Sequence, residues 1–304
     1  MTNKQAYHIA VLLGKSLEAL KIKEDGIYVD ATFGGGGHSR AIFDCLNENG
    51  RLIVFDQDQD ARKNAWDAPN FEFIPANFAH LGNHLRAMKI DKVDGILADL
   101  GVSSHQFDEA NRGFSIRSEA KLDMRMNQAA DLSAKDVVNG YTEKELLYVF
   151  KNYGEIPNAL RLVEEIAACR SSKRIESTKE LLTIAEKCAP KHKEHKYFAQ
   201  VFQAIRIEVN KEMSALENFL TQSANVLNPG GRLVVISYHS LEDRMVKNFM
   251  KRGSISGTIE KDIYGNILKP FTEIVRHPIV PDENEVKENN RARSAKLRIA
   301  ERNG

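Results

Sequence analysis

Residues 27–39 constrain this chain more than any other stretch. The β-rich run Ile27-Tyr28-Val29-Asp30 passes through Ala31-Thr32-Phe33 into four consecutive glycines, Gly34 to Gly37, then His38-Ser39 and a helical pattern from Arg40 to Leu46. A strand ending on an acid, a glycine turn and a helix open a nucleotide-binding α/β unit. Glycine lets the backbone turn tightly and approach a ligand that a Cβ would push away. About twenty residues on, a second strand, Leu52-Ile53-Val54-Phe55, also ends on an acid, Asp56. An acid there accepts hydrogen bonds from the ribose hydroxyls of an adenosine.

The loop decides which adenosine. A dinucleotide fingerprint, Gly-x-Gly-x-x-Gly/Ala, fails: counted from Gly34 the last position is Ser39, and from Gly35 it is Arg40. The one Gly-Lys-Ser, Gly14-Lys15-Ser16, lacks the upstream glycine of a P-loop and precedes the first strand, so it is read as chance. What remains, Asp30-x-Thr32-x-Gly34-x-Gly36, resembles the loop of S-adenosylmethionine methyltransferases. That ligand has no phosphate and carries a sulfonium cation, which suits an acid-headed loop without lysine.

Further along, Phe71-Glu72-Phe73-Ile74 reads as a third strand followed by Asn77-Phe78, and Val93 to Ala98 as a fourth ending in Asp99. Ligands of open α/β sheets sit beyond the carboxyl ends of the strands, so Asp30, Asp56 and Asp99 are expected on one edge. Asp99 is the candidate for orienting an exocyclic amine. Such an amine is a poor nucleophile because its lone pair is delocalised, and an oriented acceptor helps by positioning and electrostatics. Asp58 and Asp60 read as cap and surface residues. Tyr7 and His8 are read as a packed N-terminal segment.

The next strand, Arg232–Ile236, lies more than a hundred residues on, so something is inserted. Its first part, Phe107–Asn127, is irregular; Arg112, Arg117 and Arg125 are candidate phosphate contacts, with salt bridges as the default. Thr142-x-x-Glu145 and Ser177-x-x-Glu180 are capping boxes opening helices of apolar 3–4 spacing. The basic segment Lys187–Phe198 carries Tyr197 and Phe198, a composition that suits single-stranded RNA and equally a solvated loop. His192 and His195 lack further ligands, so no metal site is assigned. Val201–Val226 reads as one long helix, Pro229-Gly230-Gly231 as a turn, and Ser237–Arg244 as a substrate-facing loop opening a helix. Thr272–Val275 and Ala295–Ile299 read as a terminal antiparallel hairpin, and the tail with Arg291, Arg293, Lys296, Arg298 and Arg302 is basic. A serine hydrolase is excluded by the missing Gly-x-Ser-x-Gly elbow.

With a net charge of +1, any nucleic-acid surface must be local. Three cysteines without metal spacing fit reduced thiols in the cytoplasm. No signal peptide and no apolar run near the roughly 18 residues of a membrane span are visible.

Taken in order, Asp30–Ser39, Asp56-Gln57-Asp58, Asp99–Ser104, Arg112–Ser115, Leu122–Met126, Phe202–Ile207, His239–Arg244 and Asn290–Arg298 resemble the bacterial 16S ribosomal RNA cytosine-N4 methyltransferases, over nearly the whole chain from about Tyr7 to Ala300. The resemblance implies a class I Rossmann-like α/β methyltransferase with an inserted helical domain. The expected division is 1–104 and 201–304 for the Rossmann part and 105–200 for the insertion. It implies S-adenosyl-L-methionine as cofactor, held by Gly36, Gly37, His38, Asp56, Phe78, Asp99 and Gln106. Asp56 would take the ribose, Phe78 the adenine region, and Asp99 the methionine or amine side. The substrate implied is a decoding-centre cytidine of 16S rRNA, within the small subunit and unstacked, with no membrane partner and a homodimer left open. Tyr141 and Tyr148 are stacking candidates. Three departures stand out: His105 precedes Gln106 where the family has proline, Lys196–Gln200 replaces a His-Pro-Ala-x-Arg motif, and Tyr153-Gly154-Glu155 continues into Ile156-Pro157. A DNA amino-methyltransferase would show a proline-rich turn where Leu100-Gly101-Val102 stands. A nicotinamide oxidoreductase and a non-catalytic RNA-binding protein are the other readings weighed.

Overall fold

The computed structural model describes residues 10–304; Tyr7 and His8 lie outside the described residues. The chain forms two compact units, one from the chain up to Gly101 together with Met213–Gly304, the other Val102–Glu212.

The first unit begins with helix α1 (Leu13–Leu20), strand β1 (Ile27–Asp30), α2 (Gly37–Phe43), β2 (Arg51–Phe55), β3 (Phe71–Ile74), α3 (Leu81–Ala87) and β4 (Val93–Asp99). The chain then leaves for α4 (Ser104–Asp108), α5 (Ala134–Gly140), α6 (Glu143–Asn152), α7 (Ala159–Ser172), α8 (Thr178–Glu186) and α9 (Glu194–Asn210). It returns through α10 (Glu212–Val226), β5 (Leu227–Ser237), α11 (Ser240–Arg252), β6 (Phe271–Glu273), α12 (Glu283–Glu288) and β7 (Lys296–Arg302). Among the described residues the strands form one sheet in the order β3-β2-β1-β4-β5-β7-β6. β1 to β5 are parallel, while β7 runs antiparallel between β5 and β6.

The central strands are near-continuous apolar runs because a parallel sheet is covered on both faces. Alternation then sorts the side chains. Val29, Ile53, Phe55, Ile96, Ala98, Leu233 and Val235 share one core with Leu85, Phe219 and Phe249. Tyr28, Leu52, Val54, Leu97, Val234 and Ile236 share the other with Leu20 and Ile42. The strand order reverses direction between β1 and β4, which opens a crevice at their carboxyl ends, where ligands of such sheets bind. The expected turn at Pro229-Gly230-Gly231 is instead part of β5. The register against β4 shifts there, from Val93 opposite Leu227 to Gly95 opposite Arg232, so β5 carries three extra residues at this point; Gly230 takes φ +79° within that irregular stretch.

The second unit has its own core, centred on Val137, Leu146, Phe150, Leu162, Ile166, Leu181, Val201 and Ile205. It includes α9, which lies largely beyond residue 200, the limit expected from sequence. The single helix expected over Val201–Val226 is two. Lys211 adopts the left-handed conformation at φ 50°, which no helix propagates. The break is pinned within the unit. The Asn210 side chain donates to Met124 O at 2.8 Å and accepts from Met126 N at 2.7 Å, and Arg206 reaches forward to Glu212 with two bonds of 2.8 and 2.9 Å.

Several expected RNA contacts in this unit have internal roles. Arg112 is buried and donates to the carbonyls of Arg125 and Met126, both at 3.0 Å. Arg125 pairs with Asp123 and donates to Ala130 O at 2.7 Å. These residues hold the irregular stretch together by satisfying its buried carbonyls. Tyr197 is buried in the helical core, and the Tyr141 hydroxyl donates to Glu208 at 2.7 Å. Arg117 and Tyr148 remain exposed.

Candidate active site

The sheet delivers three acids to one edge, and the glycine loop connects two of them. Asp30, at the end of β1, is 1 % exposed. It accepts from the Thr32 N–H at 3.1 Å and from the Ser39 hydroxyl at 2.5 Å, so it ties the loop's start to the first turn of α2. Asp56, after β2, accepts from the Gly34 N–H at 2.7 Å and the Asp58 N–H at 2.8 Å. Between them Gly36 sits at φ +78°, where an added Cβ would lie 3.1 Å from the Phe33 ring; a side chain there meets both backbone strain and a crowded neighbour. A Cβ on Gly35 would meet nothing within 4 Å, so the loop's outer side is open. Gly37 begins α2.

Asp99 ends β4. Its N–H donates to Thr32 Oγ1 at 2.6 Å, and its Oδ1 accepts from the Tyr238 hydroxyl at 2.7 Å. Its Oδ2 lies 3.8 Å from His38 Nδ1. The other ring nitrogen of His38, Nε2, is 3.0 Å from Val11 O. A carbonyl only accepts, so Nε2 carries the hydrogen and Nδ1 is the nitrogen turned to Asp99.

Burial dominates the electrostatics. Desolvation pushes Asp56 up to about 6, against the pull of the Asp58 and Gly34 N–H groups. It pushes Asp99 up to about 6 as well, with His38 and the Tyr238 hydroxyl pulling down and Asp30 and Glu242 pushing further up. Asp30 is raised by the same cause and partly relieved by His38, Ser39 and Thr32. An edge with this much buried acid favours a cationic ligand, which would compensate the desolvated carboxylates.

Phe78 opens a short 3-10 turn after β3, capped by Asn77, whose side chain accepts from Ala79 N. Its ring packs edge-on against Phe219 at 5.2 Å between centroids. The Asn77 side chain also donates to Gln57 Oε1 at 2.9 Å, next to Asp56. Asp58 caps the turn Gln59–Asn64 through the Asp60 N–H, as expected. Gln106 belongs to the second unit. There it completes a capping box with Ser103 at the start of α4, accepting the Ser103 N–H at 3.0 Å.

Of the seven sequence-predicted cofactor residues, Gly36, Gly37, His38, Asp56, Phe78 and Asp99 lie in the first unit, on the loop or at the carboxyl ends of β2, β3 and β4. Sequence reasoning missed the supporting groups. Thr32 and Ser39 lie inside the motif but gave no sign of which acid each would hold. Tyr238 lies in the loop read as substrate-facing, but it is 139 residues from Asp99 and nothing local paired the two.

A doubly wound parallel sheet extended by a reversed strand, with a lysine-free glycine loop between two strand-end acids, defines an S-adenosylmethionine-dependent methyltransferase, and the chain is an enzyme of that class. The residues present fit a cationic, phosphate-free cofactor: a Cβ on Gly35 would meet nothing within 4 Å, and the acids ending β2 and β4 are both held above their usual range by desolvation. Comparison with known proteins narrows the class, since the model of the MraW methylase family matches residues 5–303. A relative from Cytophaga hutchinsonii is 54% identical over 298 residues, covering 97% of this chain and 99% of its own. Another from Flavobacterium johnsoniae is 54% identical over 302 residues, covering 99% and 100%. Both are named ribosomal RNA small subunit methyltransferase H. This chain belongs to the MraW methylase family. Among solved structures it is similar to a putative methyltransferase from Streptococcus mutans in complex with SAH, at 11% identity and a TM-score of 0.43, covering 97% of this chain and 99% of that one.

Proposed function

We propose that this methyltransferase acts on 16S ribosomal RNA of the small subunit, at the exocyclic N4 of a decoding-centre cytidine in the P site, with the target base unstacked. The names of its close relatives support the RNA class. The observation that carries the amine reading is Asp99. It is a half-buried carboxylate at the end of β4 with one oxygen taken by Tyr238 and the other 3.8 Å from His38 Nδ1.

S-adenosylmethionine supplies an electrophilic methyl group on a sulfonium. Gly36, Gly37 and His38 would line its site from the loop, Asp56 would accept the ribose hydroxyls, and Phe78 would pack on the adenine region. Asp99 accepts a hydrogen bond from the N4 amine, turning the lone pair toward the methyl carbon. The proton released after transfer leaves through the same carboxylate, whose raised value near 6 suits a proton acceptor at neutral pH. The inserted unit recognises the RNA, with exposed Tyr148 as the stacking ring. Base extrusion is needed because N4 of a paired cytidine is out of reach of an enclosed methyl donor. The cytoplasm is the compartment of this reaction, and a homodimer is compatible with it.

The test is methyl transfer from labelled S-adenosylmethionine to unmethylated small ribosomal subunits, followed by digestion to nucleosides. Label is expected in N4-methylcytidine. Label in another nucleoside would overturn the N4 assignment, and no transfer with cofactor binding intact would overturn the substrate.

A further inference from the structure

We propose that Tyr238 is a positioning residue for methyl transfer: by donating to Asp99 Oδ1 it fixes the plane of that carboxylate and presents Oδ2 to the incoming amine. The proposal rests on the reading that Asp99 orients the substrate.

The bond is 2.7 Å long, a well-formed hydroxyl hydrogen bond. Both partners are anchored. The Asp99 backbone N–H is held by Thr32 Oγ1 at 2.6 Å, and the Tyr238 N–H donates to Glu242 Oε2 at 2.9 Å in the first turn of α11. What stays free in an anchored aspartate is rotation of its carboxylate, and a donor fixed on one oxygen removes that freedom.

The same bond protects the charge. Facing Asp99 are His38 from α2, Asp30 from β1, Tyr238 from the end of β5 and Glu242 from α11. Glu285 from α12 acts on Tyr238 as well. Burial and the acids favour the protonated carboxyl, which would donate to the amine instead of accepting from it. His38 and the Tyr238 hydroxyl oppose that. The phenol itself is held far above its usual range by burial and by Asp99, so it remains a donor throughout the working pH range.

Tyr238→Phe keeps the ring and removes only the hydroxyl. The experiment compares kcat against pH, at saturating cofactor and subunit, for the wild type, Tyr238→Phe and Asp99→Asn, with cofactor affinity measured by calorimetry for each. For Tyr238→Phe, kcat is expected to stay about fivefold low above pH 8, where the carboxylate is ionised in both proteins, and to fall further below pH 7 as the acid limb moves up by about one pH unit, with cofactor affinity within about twofold. An unchanged profile, or a shifted acid limb with full activity above pH 8, would overturn the proposal even if Asp99→Asn is inactive. Loss of cofactor binding in Tyr238→Phe would overturn it too, placing the hydroxyl in the cofactor site. Full activity in Asp99→Asn would instead remove the reading beneath it.

Discussion

Asp99 is kept at a cost to the fold. A carboxyl whose folded pKa is raised binds its proton more tightly in the native than in the unfolded state. Its contribution to stability is therefore lost as pH rises from the unfolded value of 3.8 through the folded value of about 6. Asp99→Asn keeps an oxygen to accept from Tyr238 and removes the charge. It is expected to stabilise the cofactor-free protein by roughly 1–2 kcal/mol at pH 7.5, with the gain fading toward pH 4; calorimetric melts at the two pH values check this. At this scale the sequence was legible wherever a residue closes an apolar run, as Asp30, Asp56 and Asp99 do. It did not show the pairing of Tyr238 with Asp99 or the inward turn of Arg112, because those contacts depend on which strands become neighbours and which carbonyls a loop leaves unsatisfied.

The elements themselves were legible where local chemistry decides them. The boxes at Thr142 and Ser177 cap α6 and α8 as read. Two further boxes, Ser103 with Gln106 and Ser133 with Asp136, start α4 and α5; the first had been read only as a binding residue. The break at Lys211 was hidden because apolar spacing runs through both helices, from Phe202 to Leu220, while the cause lies in side chains that reach to residues 124 and 126. Lys21 poses the same problem in milder form. It ends α1 in the left-handed conformation at φ 48°, where glycine is the usual residue. Lys21→Gly is expected to stabilise by about 0.5–1 kcal/mol, seen as a higher denaturant midpoint at an unchanged m-value.

Across the whole molecule, the sequence showed an interruption between β4 and β5 but not its limits. Residues 102–212 carry a separate core, and compact units with their own core fold alone. The excised fragment 102–212 is therefore expected to be helical and to melt cooperatively by circular dichroism; a broad, non-cooperative melt would contradict this. The topology also sets an order of birth. β4 pairs with β5 from Val93 opposite Leu227 to Asp99 opposite Ile236, yet β5 follows about 130 residues later, on the order of ten seconds at the ribosome's pace. For that interval the apolar edge of β4 is open, the kind of edge that recruits foreign strands. The last helix of the insertion ends at Asn210, before β5 exists, so the guest domain is complete while its host still lacks the strand that seals the sheet.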